Sequence, residues 1–192
     1  MRSICSRAAW FSIHAMTHLI RIASVRDASA LAALARETFV DTYAAFNTVQ
    51  DMNLHLGRSY SPDIQRRELG NVSMLTIVAE NQGQLTGFAQ GHFSEPTCHP
   101  AMALVAQHPW EILRFYLHRD WHGRGIAAQL MQRALAEAAA AGADAVWLSV
   151  WSKNERAQAF YRKCGFATVG DTTFTLGSDV QHDFVMAYAL RW

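Results

Sequence analysis

The segment that most restricts the fold of this chain is a glycine-rich turn between a predicted strand and a predicted helix. Residues 110–117 are mostly aromatic and aliphatic and predict a strand, and the turn follows at residues 122–127. Apolar residues then recur at helical spacing to about Ala141. Glycines at a helix start let backbone N–H groups face an anion, and the helix dipole adds partial positive charge. The turn therefore predicts a phosphate-binding site, although any helix that begins after a tight turn shows similar glycines.

The same turn matches a fingerprint for dinucleotide binding. Gly123, Gly125 and Ala128 fit the pattern G-x-G-x-x-G/A. That pattern expects an acidic residue about 20 positions later, at the end of the next strand. Asp144 lies near that distance, but it precedes its strand. The P-loop pattern G-x-x-x-x-G-K-[ST] does not occur in the sequence. The turn alone leaves the identity of the nucleotide open.

A later helix carries a polar, a small and a phenolic residue on one face. Asn154, Ala157 and Tyr161 are spaced i, i+3 and i+7, which places them on the same side of a helix. This arrangement favours a wall for a narrow, partly polar ligand. The alternative is a helix whose Phe160 and Tyr161 fill the core, and the residues by themselves leave both interpretations open.

Together and in this order, the two segments resemble the GNAT superfamily of N-acetyltransferases. Residues 110–166 carry the resemblance. The GNAT phosphate motif is Gln/Arg-x-x-Gly-x-Gly/Ala, and His122 stands here in place of its usual first residue. Backbone amides do most of the phosphate binding, so we expect the motif to keep its function despite this departure.

The outer parts of the chain resemble one branch of that superfamily. Residues 39–56 and 170–186 look like the corresponding parts of bacterial spermidine/spermine N-acetyltransferases of the sporulation-regulator type. These motifs are less specific than the central ones. They support a hypothesis about the subfamily and do not identify a substrate.

The order of predicted elements agrees with an α/β (α+β) class. A strand, two or three helices and a β-hairpin precede alternating β, α, β and α elements and a final β-hairpin. We predict a mixed, mostly antiparallel sheet of about seven strands, flanked by about four to five helices; the resemblance implies the GNAT fold, with a splayed central parallel pair. Residues 94–109 hold three of the four prolines and predict a loop. Residues 19–192 are predicted to form one N-acetyltransferase domain, and residues 1–15 a disordered N-terminal extension.

Charge and cysteine content exclude several classes of function. The chain has 17 Lys plus Arg against 16 Asp plus Glu and no basic run, so we expect no nucleic-acid partner. No stretch offers about 18 uninterrupted apolar residues, which argues against a membrane span. Cys5, Cys98 and Cys164 form neither a disulfide framework nor a metal motif, and this pattern suits the cytoplasm. His118 and His122 lack a third candidate ligand, so no metal is expected.

The resemblance implies acetyl-CoA as the donor and a primary amine as the acceptor, with direct transfer in a ternary complex. In GNAT enzymes the pantetheine arm lies in the gap beside the splayed strand, and the pyrophosphate lies on the glycine-rich turn. The cofactor-binding residues implied for this chain are Phe115, Leu117, His122, Gly123, Arg124, Gly125, Ile126, Ala127, Asn154, Ala157 and Phe160.

Two residues are candidates for acid–base catalysis. The resemblance implies that Tyr161 protonates the departing thiolate. Glu111 is the candidate base, directly or through a water, because it begins the strand beside the cofactor arm. Strand alternation predicts Glu111 on the same face as Phe115 and Leu117, where burial raises the pKa of a carboxylate. The opposing interpretations are a core tyrosine and an exposed carboxylate at a strand edge.

The acceptor is predicted to be a small amine such as a polyamine. A peptide or protein N-alpha-acetyltransferase, a non-catalytic acyl-CoA-binding regulator and a nicotinamide oxidoreductase are the competing hypotheses. A closed acidic pocket between the opening helices and the last hairpin indicates a small amine, and an open groove a peptide. Glu37, Asp41 and Asp51 are candidates to attract a cation, or else solvated or capping residues. Trp192 is a candidate contact of a homodimer, or else part of the core.

Overall fold

A computed structural model of the protein describes residues 18–103 and 106–190. The predicted N-terminal extension 1–15 and the candidate dimer residue Trp192 lie outside these described residues. The strands are β1 (Leu19–Ile22), β2 (Met74–Asn81), β3 (Gln84–Phe93), β4 (Pro109–Leu117), β5 (Ala145–Trp151), β6 (Ala167–Leu176) and β7 (Asp179–Ala189). The helices are α1 (Ala28–Tyr43), α2 (Val49–Ser59), α3 (Pro62–Leu69), α4 (Pro100–Ala103), α5 (Ile126–Ala140) and α6 (Glu155–Lys163).

The seven described strands form one mixed sheet in the order β1-β2-β3-β4-β5-β7-β6. All neighbouring pairs are antiparallel except β4 and β5, which are parallel. The predicted fold class is confirmed. α4 is a short additional helix within the segment 94–109, for which the sequence predicted a loop.

The parallel pair is splayed, as the resemblance implied. The register of β4 with β5 runs from Pro109 opposite Ala145 to Glu111 opposite Trp147. Beyond Trp147 the two strands separate, while β4 stays paired with β3 as far as Leu117. The carboxyl-terminal half of β4 therefore lies beside an opening in the sheet.

Apolar layers cover both sides of the sheet, because successive residues of a strand point to opposite faces. On one side, Phe39 of α1 belongs to the same buried cluster as Phe88 of β3. On the other side, Leu130 of α5 packs with Ala89, the next residue of that strand. We call these two sides the α1 face and the α5 face. Apolar residues at helical spacing in α1 and α5 produce both layers.

A β-bulge in β4 changes which of its side chains share a face. The register between β3 and β4 skips Leu113, which lies between the paired residues Ile112 and Arg114. Ile112 and Phe115 consequently contact the same apolar cluster on the α5 face, although they are three positions apart. Glu111, the neighbour of Ile112, lies on the α1 face. The prediction that Glu111 shares a face with Phe115 is wrong, because simple alternation does not account for the bulge.

Candidate active site

The opening between β4 and β5 leads into a cavity of about 700 Å3, a size typical of sites for small molecules and cofactors. The cavity begins at the glycine-rich turn, passes α6 and continues onto the α1 face. We call its part on the α1 face the acceptor chamber. The lining of this chamber includes Phe39, Tyr43, His55, Tyr60, Arg114, Phe174 and Asp183.

The glycine-rich turn forms the entrance of the cavity. Gly123 has a φ of 76° and Gly125 a φ of 78°, a region that residues with a Cβ rarely adopt. Gly125 is the N-cap of α5, so the first N–H groups of this helix have no acceptor within it. Gly123 and Ala127 line the cavity, whereas the side chain of Ile126 is buried in the protein. The geometry of an anion site is therefore present at the position that the sequence predicted.

His122 and Arg124 have contacts that fix the shape of this turn. His122 Nε2 donates to the carbonyl of Leu117 at 2.9 Å, and its Nδ1 accepts from Arg156 Nη1 at 2.9 Å. Since a carbonyl only accepts and a guanidinium only donates, these contacts define the neutral Nε2–H tautomer. The Arg124 guanidinium lies 4.8 Å from the ring of Trp121. His122 thus joins the end of β4 to α6.

The predicted face of α6 forms one wall of the cavity. Asn154, Ala157, Phe160 and Tyr161 all line it. Asn154 is also the N-cap of the helix, because its Oδ1 accepts from the N–H of Ala157 at 3.1 Å. The amide nitrogen of Asn154 remains available to a ligand in this arrangement.

Tyr161 lies where the cavity passes through the sheet. Its side chain is buried, and its ring packs with those of Phe115, Phe160 and Phe166 at centroid distances of 5.5 to 6.2 Å. Burial raises the pKa of the phenol well above its usual value. Tyr161 is therefore protonated at neutral pH, as a general acid must be.

Glu111 does not line the cavity that contains Tyr161. Its carboxylate lies 3.7 Å from His92 Nε2 on the α1 face, where the parallel pairing of β4 and β5 ends. Burial raises the pKa of Glu111, and the nearby His92 opposes this rise. Of the two predicted catalytic side chains, Tyr161 therefore lines the cavity and Glu111 does not.

Sequence reasoning missed an acidic residue that does line the cavity. Asp183 of β7 lies opposite Trp151 of β5 and is 6% exposed. Its Oδ1 has no hydrogen-bond partner within residues 18–103 and 106–190. Burial raises the pKa of Asp183 to about 6, and the nearby His182 and Ser149 oppose this rise. The sequence does contain an indication of this position. Asp183 lies two residues before the apolar Val185 in a strand, so both side chains point to the same, buried face, where a carboxylate is unusual.

The acidic residues of the opening helices have structural partners. Glu37 Oε1 lies 2.9 Å from His118 Nε2, and Asp51 accepts from the backbone N–H of Ser178 at 2.8 Å. Asp41, 3.6 Å from Arg119, is the member of this group that lines the cavity. Asp51 also accepts from the hydroxyl of Thr48, the N-cap of α2, so it takes part in capping this helix.

Neither a dinucleotide-binding role for Asp144 nor a metal site finds support in the described residues. Asp144 accepts hydrogen bonds from the backbone N–H groups of Gln107 and His108, so it is engaged in a loop and does not line the cavity. No group of three or more His, Cys, Asp or Glu side chains in the described part of the chain is arranged to hold a metal. None of the helices described is both long and apolar enough to cross a bilayer.

An open parallel pair with a glycine-rich helix start beside it defines the class of this protein as an acyltransferase. The chain matches the model of the Acetyltransferase (GNAT) family over residues 39–166. It belongs to that family. The prediction of a GNAT N-acetyltransferase is confirmed at this level.

Relatives of similar sequence carry the same general name. An uncharacterised N-acetyltransferase from the pepI 3' region of Lactobacillus delbrueckii subsp. lactis is 28% identical over 167 residues, which are 87% of this chain and 94% of the relative. An uncharacterised N-acetyltransferase of Mycobacterium tuberculosis is 49% identical over 80 residues, 42% of this chain and 51% of the relative. The alignment thus spans about half the length of the mycobacterial protein.

Solved structures share the fold over nearly the whole chain. PaiA N-acetyltransferase from Thermoplasma acidophilum, in complex with coenzyme A, has a TM-score of 0.72 at 23% identity and covers 91% of this chain and 100% of its own. NAA60 of Arabidopsis thaliana, in complex with acetyl-CoA, also has a TM-score of 0.72, at 15% identity, covering 91% of this chain and 99% of its own. The equal scores mean that the overall fold does not distinguish between these two relatives.

Proposed function

We propose that this enzyme transfers an acetyl group from acetyl-CoA to a primary amine of a small molecule, by direct transfer in a ternary complex. The observation that carries the proposal is the continuous cavity, which joins the glycine-rich turn, Tyr161 and the acceptor chamber through the opening in the sheet. Coenzyme A and acetyl-CoA are the ligands of the PaiA and NAA60 structures. One cavity therefore has room for the donor on one side and the acceptor on the other.

The entrance of the cavity suits the pyrophosphate of the donor. The N-terminus of α5, with its unpaired backbone N–H groups, lies at this entrance, where the helix dipole favours negative charge. The side chains of Arg119 and Arg156 line the same end of the cavity. The helix dipole and two guanidinium groups therefore stabilise the negative charge of the phosphates.

The opening in the sheet suits the pantetheine arm. The edge of β4 that faces β5 is unpaired beyond their short register, so backbone groups of Phe115 and Leu117 are available to the amides of the arm. Asn154, Ala157 and Phe160 of α6 form the facing wall. The small side chain of Ala157 leaves space for a thin ligand between the strand and the helix.

Tyr161 is the general acid in this proposal. The amine nitrogen attacks the thioester carbonyl, the C–S bond breaks, and the phenol gives its proton to the departing thiolate. Glu111 reaches the amine only through a bridging water, because its side chain does not line the cavity.

Two contacts beside the acceptor chamber hold the helices and the last hairpin together, which favours a small acceptor over a peptide. Ser178 N donates to Asp51 Oδ1 at 2.8 Å, and Gln181 Nε2 donates to Asn47 Oδ1 at 2.8 Å. Both join the region around the start of α2 to the β6–β7 hairpin. The resemblance to the sporulation-regulator type extends this proposal to a polyamine as one candidate acceptor.

Titration calorimetry of the full chain with acetyl-CoA tests the donor, and NADH serves as the comparison ligand. We expect micromolar binding of acetyl-CoA and no binding of NADH, followed by thiol release when an amine is added. Binding of NADH without binding of acetyl-CoA would overturn the proposal.

A further inference from the structure

Asp183 is a buried acidic side chain of the acceptor chamber that has no role in the transfer described so far. Ser149, on the neighbouring strand, and His182 lower the pKa of its carboxyl group, against the larger effect of burial. The second oxygen, Oδ1, is buried and has no hydrogen-bond partner in the described part of the chain. Burying such an atom without a partner costs free energy, so its retention needs an explanation. The Asp183 side chain also lines the cavity, so a donor group bound there could form a hydrogen bond with its carboxyl group.

The other charged side chains along the cavity are engaged with partners. Asp41 lies 3.6 Å from Arg119. Arg114 lines the cavity and lies 2.6 Å from Glu68, which does not line it. Asp183 and Asp41 are the acidic side chains of the described lining. Among the acidic side chains of the described lining, Asp183 is therefore the one that is not paired with an arginine.

Most of the other side chains of the chamber are aromatic, and the Arg114 guanidinium lies 5.1 Å from the ring of Tyr60. Phe39 stacks on His55 at 4.4 Å, and His55 meets Phe174 edge-on at 5.7 Å. Burial lowers the pKa of His55, so its ring is uncharged at neutral pH. Tyr43, which lies 5.7 Å from the ring of Trp151, interacts electrostatically with Asp183. These walls suit an apolar body, and the other acidic side chain of the lining, Asp41, is already paired with Arg119.

We propose that Asp183 binds the single ammonium group of a primary monoamine with an apolar or aromatic body and accepts the proton that this group must lose. The inference rests on the proposed function and specifies its acceptor. A polyamine carries further ammonium groups along its chain. The Arg114 guanidinium in the chamber would repel them, and the described lining has no second unpaired carboxylate to offset their desolvation.

The proton balance of the transfer is complete with Asp183, Tyr161 and solvent. The ammonium gives one proton to the Asp183 carboxylate, and the neutral amine forms the N–C bond to the acetyl carbon. The C–S bond breaks, and Tyr161 protonates the thiolate. The second proton of the nitrogen returns to the tyrosinate as the amide forms, and Asp183 releases its proton to solvent.

Thiol-release kinetics with acetyl-CoA test the assignment, using 2-phenylethylamine as the monoamine and spermidine as the polyamine. We expect kcat/KM to be at least about tenfold higher for 2-phenylethylamine. Asp183→Asn is expected to lower that kcat/KM by about 10- to 100-fold, because a charge-assisted hydrogen bond is lost. Asp171→Asn is the matched control, since the Asp171 side chain is 71% exposed on the adjacent strand. It is expected to leave kcat/KM within about twofold of the wild type.

Competitive inhibition by 2-phenylethanol, an uncharged analogue of the same shape, separates charge recognition from a structural role. In the wild type the amine should bind more tightly than the alcohol, and in Asp183→Asn this preference should disappear while acetyl-CoA affinity stays unchanged. A variant that weakens amine and alcohol equally, or a wild type that prefers spermidine, would overturn the inference. Binding of acetyl-CoA with no turnover of either amine would also overturn it and leave the donor assignment intact. Loss of acetyl-CoA binding by the wild type would instead overturn the proposed function.

Discussion

Replacing the buried carboxylate of Asp183 should stabilise the folded protein while it impairs the reaction. The pKa of Asp183 rises from 3.8 to about 6 on folding because the group is buried. Since each factor of ten in an ionisation constant corresponds to about 1.4 kcal/mol, the ionised carboxylate costs the folded state up to about 3 kcal/mol at pH 7.5. Solvent that enters the cavity screens part of this cost. We expect Asp183→Asn to raise the free energy of unfolding by about 1–3 kcal/mol.

The pH dependence of this gain has a definite sign. Between pH 3.8 and about 6 the folded protein holds a proton on Asp183 that the unfolded chain has lost, so wild-type stability falls as pH rises through this window. The stability gain of Asp183→Asn should therefore shrink to about 0.5 kcal/mol at pH 4. His182, Tyr43 and Ser149 face or adjoin the carboxyl group, and all three remain in the variant.

Urea unfolding of the wild type and the variant at pH 7.5 and pH 4 measures this difference, because groups common to both proteins cancel. Asp171→Asn, which changes an exposed carboxylate, should show a difference within about 0.5 kcal/mol at both pH values. If Asp183→Asn were no more stable than the wild type at pH 7.5, or its gain did not depend on pH, the reasoning about the buried charge would be refuted.

Two further predictions concern the donor side. Tyr161→Phe keeps the packed ring and removes the proton donor, so kcat should fall about 100-fold or more while calorimetric affinity for acetyl-CoA is unchanged. Tyr188→Phe, in the same aromatic cluster but outside the cavity, should leave kcat unchanged. Full turnover by Tyr161→Phe would reject its role as general acid. Gly125→Ala places a Cβ at a φ of 78° in the glycine-rich turn and should weaken acetyl-CoA binding about tenfold or more. Gly142→Ala places a Cβ at a φ of 93° beyond the other end of α5. Both variants should lower the free energy of unfolding by about 1 kcal/mol, but Gly142→Ala should leave the affinity for acetyl-CoA unchanged. Equal affinities in the two glycine variants would contradict the assigned role of the turn.

Features that depend on neighbouring residues were predictable. Gly123 and Gly125 mark a backbone conformation that other residues rarely adopt, so the turn and the start of α5 follow from local sequence. The shared face of Asn154, Ala157 and Tyr161 follows from helical periodicity, and all three line the cavity. Such inferences need no knowledge of what lies across the sheet.

Two features of the site were decided by strand pairing. The bulge at Leu113 moves Glu111 away from the face that simple alternation predicts, and a bulge arises from the register of two strands. Asp183 reaches the cavity because β7 lies between β5 and β6, which sets it opposite Trp151.

The sequence by itself therefore determined the family, the glycine-rich turn and the α6 wall, because these are encoded by residues within a few positions of one another. Only the tertiary structure decided which carboxylate lines the cavity. That choice depends on contacts between residues far apart in the chain, where sheet order and burial, rather than spacing, control position and charge.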